Sequence, residues 1–220
     1  MPTVTIIDYG IGNLLSVIRA FTHCGAEPVL TGTPEGVLAA ERLVLPGVGA
    51  FADAVVTLRE KNLAEAILRH IQLDKPFLGI CLGMQMMLDT GEEFGSHEGL
   101  GLIPGRVVPI PPTAADGSPH KIPHIGWNRL ELPSPASTWT GTVLDGIAPG
   151  AAAYFVHSFT AVPADPAHRL ADCRYHGRLI AAAVRSGALY GCQFHPEKSG
   201  EVGLAIVRNF IRLKAQGGRP

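Results

Sequence analysis

The stretch Pro76-Phe77-Leu78-Gly79-Ile80-Cys81-Leu82-Gly83-Met84-Gln85 constrains the fold more than any other part of the chain. An apolar run of strand character meets a cysteine with glycine two residues before and two after it, and helix-forming residues follow. Gly-x-Cys-x-Gly at such a junction is the cysteine version of a nucleophile elbow. The turn forces its tip residue into a strained backbone conformation, and the flanking positions must be small because strand and helix pass close together. A strand feeding a helix in this way suits a parallel sheet with helices on its faces. The thiol of Cys81 then stands above the sheet edge at a helix N-terminus, where unpaired N–H groups favour a thiolate. The plainer reading is a buried structural cysteine in a glycine-rich βα turn.

The residues before the elbow repeat this grammar. Val4–Asp8 is a short apolar strand, and Leu14, Leu15, Val17, Ile18, Phe21 and Cys24 fall on one helical face, with Asn13 as cap and Gly25 as stop. Gly10-x-Gly12 resembles the opening of a dinucleotide loop, but the third glycine and the acidic partner are missing, so a tight βα turn is the better reading. Strands at Glu27–Leu30 and Arg42–Leu45 flank a short helix at Pro34–Ala40. Helices follow through Phe51–Leu58 and, starting at Asn62, through Leu63–Ile71. This alternation predicts an α/β three-layer sandwich with a mostly parallel sheet.

After Leu88 the character changes. Gly91–Gly101 reads as a loop. Leu102–Ile110, Lys121–Leu132, Tyr154–Thr160, Leu170–Tyr175, Leu179–Arg185 and Leu189–Phe194 read as strands, with hairpin turns at His176-Gly177 and Ser186-Gly187, so an antiparallel β-rich part is expected in the C-terminal half. Pro111–Pro119 is a surface excursion, Pro133–Gly150 carries no regular pattern, and Ser199–Leu213 is a helix. The 220 residues, 46% hydrophobic and 17% charged, suit one domain spanning residues 1–220.

The formal net charge of −1 gives no reason to expect nucleic acid or an anionic membrane as partner. No apolar run approaches the roughly 20 residues of a membrane span, and the N-terminus enters a strand without a secretion signal. Cys24, Cys81, Cys173 and Cys192 form no CxxC pair, so reduced thiols in a cytoplasm are expected, with Cys24, Cys173 and Cys192 in the core. His120 and His124 lie four apart, but no carboxylate or cysteine accompanies them, so no metal is expected, nor any cofactor. His23, His70, His97, His168 and His176 read as surface or turn residues.

Two further stretches bear on Cys81. In Leu45-Pro46-Gly47-Val48-Gly49-Ala50-Phe51, two glycines bracket one residue directly after a buried strand, so backbone N–H groups can turn toward a ligand. Near the end of the last strand stands Gln193-Phe194-His195-Pro196-Glu197-Lys198-Ser199. A cysteine nucleophile needs a base and a group that orients that base. His195 can be the base, and Glu197, two residues on along an extended segment, can hold its imidazole. Taken alone, each stretch is equally an ordinary loop.

Taken together, they resemble class I (triad) glutamine amidotransferases, in which Cys, His and Glu hydrolyse glutamine. One branch is matched further by Asp8-Tyr9-Gly10-x-Gly12-Asn13-Leu14, Gly99-Leu100-Gly101-Leu102-Ile103-Pro104-Gly105, Lys121-Ile122-Pro123-His124-Ile125-Gly126-Trp127-Asn128 and Phe155-Val156-His157-Ser158-Phe159. That branch is the glutaminase subunits of imidazole glycerol phosphate synthases, in histidine biosynthesis. The resemblance runs from about residue 4 to 213 and implies a flavodoxin-like amidotransferase fold.

It also implies roles. Cys81 attacks the side-chain amide of L-glutamine, His195 moves the proton, Glu197 completes the triad, and a thioester on Cys81 is hydrolysed. The oxyanion donors would come from the Leu82 backbone and the Val48–Gly49 part of the loop. Gly47, Gln85, Ser158 and Phe159 would hold glutamine. The ammonia passes to a partner, the cyclase subunit, a (β/α)₈ barrel forming a heterodimer, which converts the phosphoribulosyl aminoimidazole carboxamide nucleotide PRFAR to imidazole glycerol phosphate and the aminoimidazole carboxamide ribonucleotide AICAR. Asn13, Trp127, Tyr154 and Lys198 would form its docking face, although Trp127 could equally be core and Lys198 a solvated charge. The family's glutaminase is weak until the partner is loaded, and rotation of the Val48 peptide offers a physical switch. The remaining alternatives are an amidotransferase for anthranilate or GMP synthesis, a γ-glutamyl hydrolase, or a non-catalytic regulatory subunit. The Lys-Ile-Pro-His-x-Gly-Trp-Asn block and the Pro-Gly-Val-Gly loop favour the histidine pathway.

Overall fold

A computed structural model describes residues 1–134 and 138–214. Part of the unassigned Pro133–Gly150 stretch, residues 135–137, and the last six residues of the expected domain lie outside the described residues.

The first half is built as expected. β1 (Thr3–Ile7) leads into α1 (Leu14–His23) and β2 (Glu27–Thr31) into α2 (Pro34–Ala39). β3 (Leu43–Gly47) leads into α3 (Phe51–Glu60) and α4 (Leu63–Gln72), and β4 (Phe77–Cys81) into a single turn, α5 (Leu82–Gln85). The second half adds β5 (Leu88–Gly91), β6 (His97–Glu98), β7 (Ile103–Pro109), β8 (His124–Arg129), β9 (Ala152–His157), β10 (Phe159–Pro163), β11 (Arg169–Tyr175), β12 (Arg178–Ser186), β13 (Leu189–Cys192) and α6 (Gly200–Arg212).

A seven-stranded sheet runs β11-β12-β13-β4-β3-β1-β2. From β2 to β13 it is parallel, and β12 and β11 complete it antiparallel. The parallel part follows the strand order of doubly wound flavodoxin-like sheets, in which ligands sit outside the carboxyl ends of the strands. β3 and β4 are buried at every residue. Their unbroken apolar sequence is what a strand covered on both faces requires.

One core packs α1 and α6 on the sheet, with Phe21 and Phe210 meeting edge to face at 6.1 Å. The other packs α2, α3 and α4, together with a four-stranded sheet β10-β7-β5-β6. A two-stranded ribbon, β8-β9, lies on the first side. Each fully buried Leu, Ile or Phe contributes roughly 1.5–3 kcal/mol.

The structure corrects several expectations. The Gly91–Gly101 loop contains β6, and its first residue closes β5; β5 pairs with β6 antiparallel and with β7 parallel. The expected Tyr154–Thr160 strand is two, broken at Ser158, because β9 pairs with β8 whereas β10 crosses to β7. The Lys121–Leu132 strand shrinks to β8. His70 is fully buried on the face of α4 shared with Leu63, Ala66 and Ile67, against the Pro76 carbonyl. Cys24 is only half-buried, its thiol on the Leu204 carbonyl. The Pro111–Pro119 excursion closes on itself through Thr113 and Pro119 and is gripped by the Arg178 guanidinium at Thr113. Among the described residues no helix is long and apolar enough to cross a membrane.

Candidate active site

Parallel register assembles the site. Gly47 at the end of β3 pairs with Cys81 at the end of β4, and Cys192 at the end of β13 pairs with Ile80. The segments that overrun these strands, Val48–Gly49 and Gln193–His195, therefore flank the thiol from two sides. Cys81 has φ 55°, the strained tip expected of the elbow. A Cβ on Gly79 would lie 2.7 Å from the Gly83 carbonyl oxygen, and one on Gly83 would run into the Leu45 carbonyl, so both flanking glycines are required by close backbone approach.

The helix that follows is one turn long, shorter than the elbow pattern suggests. Its dipole is correspondingly small. His195 and Cys81 line one cavity. His195 Nδ1 and Glu197 Oε1 are 2.7 Å apart, with both side chains almost wholly buried. Burial pulls the His195 imidazole down, but hydrogen bonding and charge attraction to Cys81 and Glu197 outweigh it and push the group up to about 9. The imidazole thus lies between the Cys81 sulfur and the Glu197 carboxyl group, surroundings that favour its protonated form.

Glu197 reaches His195 from a 3₁₀ turn, Pro196–Lys198, not from the extended segment expected. Proline with its fixed φ starts that turn and folds the carboxylate back on the ring. The backbone of His195 is clamped as well. Its N–H donates to the Tyr154 carbonyl at 2.9 Å, and its carbonyl accepts from Ser199 Oγ at 2.7 Å.

The cavity, of about 300 Å³, is lined by Val48, Gly49, Cys81, Leu82, Gln85, Glu93, Pro123, Val156, His157, Ser158, Phe159 and His195. All expected oxyanion and glutamine residues are among them except Gly47. Gly47 lies beneath the loop, where a Cβ would come within 2.9 Å of both the Gly83 nitrogen and the Tyr9 hydroxyl. The absence of a side chain there lets β3 pass close to the elbow. Leu82 is the first residue of α5, so its N–H has no partner within the helix. Gly49 has φ +92° and open space around it, so the loop can reorient there.

Three lining or adjoining residues were not singled out by sequence. Glu93 receives the Phe51 N–H at 2.7 Å through Oε2, capping α3. His157 donates from Nδ1 to the Phe159 carbonyl at 2.7 Å and accepts at Nε2 from His124 Nδ1 at 2.9 Å, and Asn128 Nδ2 lies 3.3 Å from His124 Nε2. Burial holds His157 at about 3 and His124 at about 4, so both rings are neutral, which this one-way donor chain requires. Gln193 lies beneath the thiol, fully buried. His157 and Gln193 sit inside motifs already noted. Glu93, in an acidic loop beside Glu92, has no signal of its own, since only the fold turns it inward.

Of the expected docking residues, Trp127 is 59% exposed and meets Tyr154 edge to face at 6.0 Å, which excludes the core reading. Ile125, also exposed, lies on the same face of β8. Lys198 is exposed in the turn that carries Glu197, and Asn13 lines a narrow cleft shared with Val48, His195 and Glu197.

Residues 5–213 match the glutamine amidotransferase class-I family model. Imidazole glycerol phosphate synthase subunit HisH 1 of Legionella pneumophila (strain Lens) is 54% identical over 213 residues, covering 97% of this chain and 100% of that one. Imidazole glycerol phosphate synthase subunit HisH of Methylococcus capsulatus is 45% identical and covers both chains completely. Among solved structures, PurLQS from Thermotoga maritima superposes with a TM-score of 0.70 at 20% identity, over 95% of this chain and 97% of that one, a likeness of fold.

Proposed function

The chain belongs to the class-I glutamine amidotransferase family, and from that premise we propose how its residues perform the reaction. Its function is that of the glutaminase subunit of an imidazole glycerol phosphate synthase, supported by relatives of that description at 45–54% identity over nearly the whole chain. A putative GMP synthase subunit from Thermoplasma acidophilum, of one rival kind, shares the fold at 19% identity.

Cys81 Sγ, as thiolate, attacks the side-chain carboxamide carbon of L-glutamine. The negative oxygen formed is met by the Leu82 N–H and by an N–H of the Val48–Gly49 loop; losing one such donor costs about 10²–10³ in rate. His195, already carrying a proton, gives it to the departing nitrogen, and ammonia leaves. The γ-glutamyl thioester on Cys81 is then attacked by water, which His195 deprotonates, and glutamate is released with the thiolate restored. Glu197 holds the imidazolium throughout. Glu93, the one carboxylate in the cavity lining, suits the α-ammonium group of glutamine, and backbone groups at Ser158–Phe159 suit its α-carboxylate. Gln85 donates from Nε2 to Phe159 O and Gln193 Oε1, which leaves its Oε1 as an acceptor for the ligand.

As a synthase subunit the chain works with a partner. We read that partner as the cyclase subunit, docked over the face formed by exposed Trp127 and half-buried Tyr154 with Asn13 and Lys198, receiving the ammonia and converting PRFAR. Rotation of the peptide at Val48–Gly49 on docking would complete the oxyanion donors and so couple hydrolysis to a loaded partner. The match over residues 5–213 supports a single amidotransferase domain, and four unpaired cysteines suit a reducing cytoplasm.

The observation that carries the mechanism is the buried His195–Glu197 pair at 2.7 Å sharing a cavity with Cys81. Replacing Cys81 by Ala in the complex with the cyclase tests it. Imidazole glycerol phosphate formation from glutamine should stop, and formation from ammonium should persist. Retained glutamine-dependent activity would sink the assignment.

A further inference from the structure

We propose that Gln193 is a further catalytic residue, its side-chain amide donating to the Cys81 sulfur and steadying the thiolate. Gln193 Nε2 lies 3.9 Å from Cys81 Sγ, within reach for the large, soft sulfur atom, and the side chain is fully buried. Its backbone is fixed by the N–H bond to the Ala182 carbonyl at 2.9 Å. Just past β13, Phe194 packs away into the core against Phe155, while Gln193 and His195 both approach the elbow.

An amide can present either end to a neighbour, but here the choice is dictated by one backbone carbonyl. Phe159 O can only accept, and Gln85 Nε2 donates to it at 3.2 Å. The same Nε2 lies 3.0 Å from Gln193, so the Gln193 atom facing it must be the acceptor Oε1. Nε2 of Gln193 is thereby left on the side of the sulfur, as a donor. The orientation of Phe159 O is itself set by His157 Nδ1 at 2.7 Å. A chain of obligatory donors and acceptors thus ends on the nucleophile. A buried donor with no other use is well placed for an anion and poorly placed for anything else.

This inference rests on Cys81 being the nucleophile, and its test avoids glutamine so that the two can fail separately. The full chain and its Gln193→Leu and Gln193→Glu variants are alkylated with iodoacetamide across a pH series, with modification at Cys81 read by peptide mass and thermal midpoints recorded alongside. Leu keeps the bulk and removes the donor. At neutral pH, alkylation should slow about tenfold and its pH midpoint should rise by about one unit, the scale of a hydrogen bond to a charged group. Glu keeps the shape and sets an anion against the thiolate, so it should be slower still. A purely structural role predicts the opposite order, with the isosteric Glu nearer the parent. Equal midpoints in the parent and the Leu variant, or Glu nearer the parent than Leu, would overturn the proposal. Gln193→Met, unbranched and of similar length, carries the same measurement if Leu unfolds the protein.

Discussion

Replacing Glu197 by Gln tests the electrostatics of the triad at its source. His195 is held at about 9 by Cys81 and Glu197 against the pull of burial. Glu197 Oε1 makes the 2.7 Å contact, and Oε2 is buried with no hydrogen-bond partner among the described residues. Nothing therefore selects which end of an introduced amide would face Nδ1, and one orientation forces the wrong tautomer. A hydrogen bond to a charged group contributes roughly 1.5–3 kcal/mol, equivalent to about one to two pH units. The His195 midpoint should fall from about 9 toward about 7–8. The sign for stability follows. A histidine raised above its usual 6.5 stabilises the fold fully below that value, and the contribution disappears as pH rises through about 9. In the variant it should disappear one to two units sooner. NMR titration of the His195 ring gives the midpoint, and urea unfolding at a series of pH values gives the stability. Glutaminase activity in the partner complex should fall between about 10² and 10⁴-fold. A midpoint unchanged to within about 0.3 unit, a small fraction of the expected shift, would refute the reasoning even if activity were lost.

Other outcomes follow from single features. Glu93→Gln keeps an oxygen for the Phe51 N–H but removes the charge, so KM for glutamine should rise about 10–100-fold with a smaller change in kcat; an unchanged KM would remove Glu93 from substrate recognition. His70, His124 and His157 are buried and neutral, lowered to about 4, 4 and 3. Below about 6.5 the unfolded chain binds protons that the native state refuses, so stability should drop by about 2 kcal/mol per ring between pH 6.5 and 5. Urea midpoints that stay flat over that interval would contradict the burial of these rings. Gly83→Ala drives a methyl group into the Leu45 carbonyl and should cost about 3 kcal/mol or prevent folding, read by chemical denaturation; a variant as stable as the parent would show that the elbow can open.

The first half of the fold was legible because each element carries its own periodicity. The apolar residues of α1 that face the sheet, such as Val17 and Phe21, or the solid apolar run of β4, need no knowledge of their neighbours. β5 was not legible, since Leu88-Asp89-Thr90-Gly91 becomes a strand only through pairing with β6 and β7, both distant or weakly patterned. The break at Ser158 is invisible for the same reason: the residues on either side are equally strand-like, and only the position of the second sheet decides that they part. His70 was misplaced because polarity was given more weight than helical phase; its position, three after Ile67, already lay on the buried face. In the site, Cys81, His195 and Glu197 were readable from spacing. The turn that brings Glu197 back to His195, the inward Glu93 and the donor role of Gln193 depend on which backbone atoms stand opposite them, and sequence does not display those.

β13 lies in the interior of the large sheet, between β12 and β4, yet in chain order it is the last strand among the described residues. During synthesis Cys81 leaves the ribosome long before His195 and Glu197 exist. Until β13 slots in beside β4, the thiol has neither its proton carrier nor its floor of buried amide. A nascent chain that has not yet reached His195 lacks the base that glutamine hydrolysis needs. The insertion is also non-local and so slow relative to closure of the preceding βα units. Triad chemistry therefore waits on the insertion of β13 beside β4, and a chain cut short before His195 lacks its proton carrier however well its first half has folded.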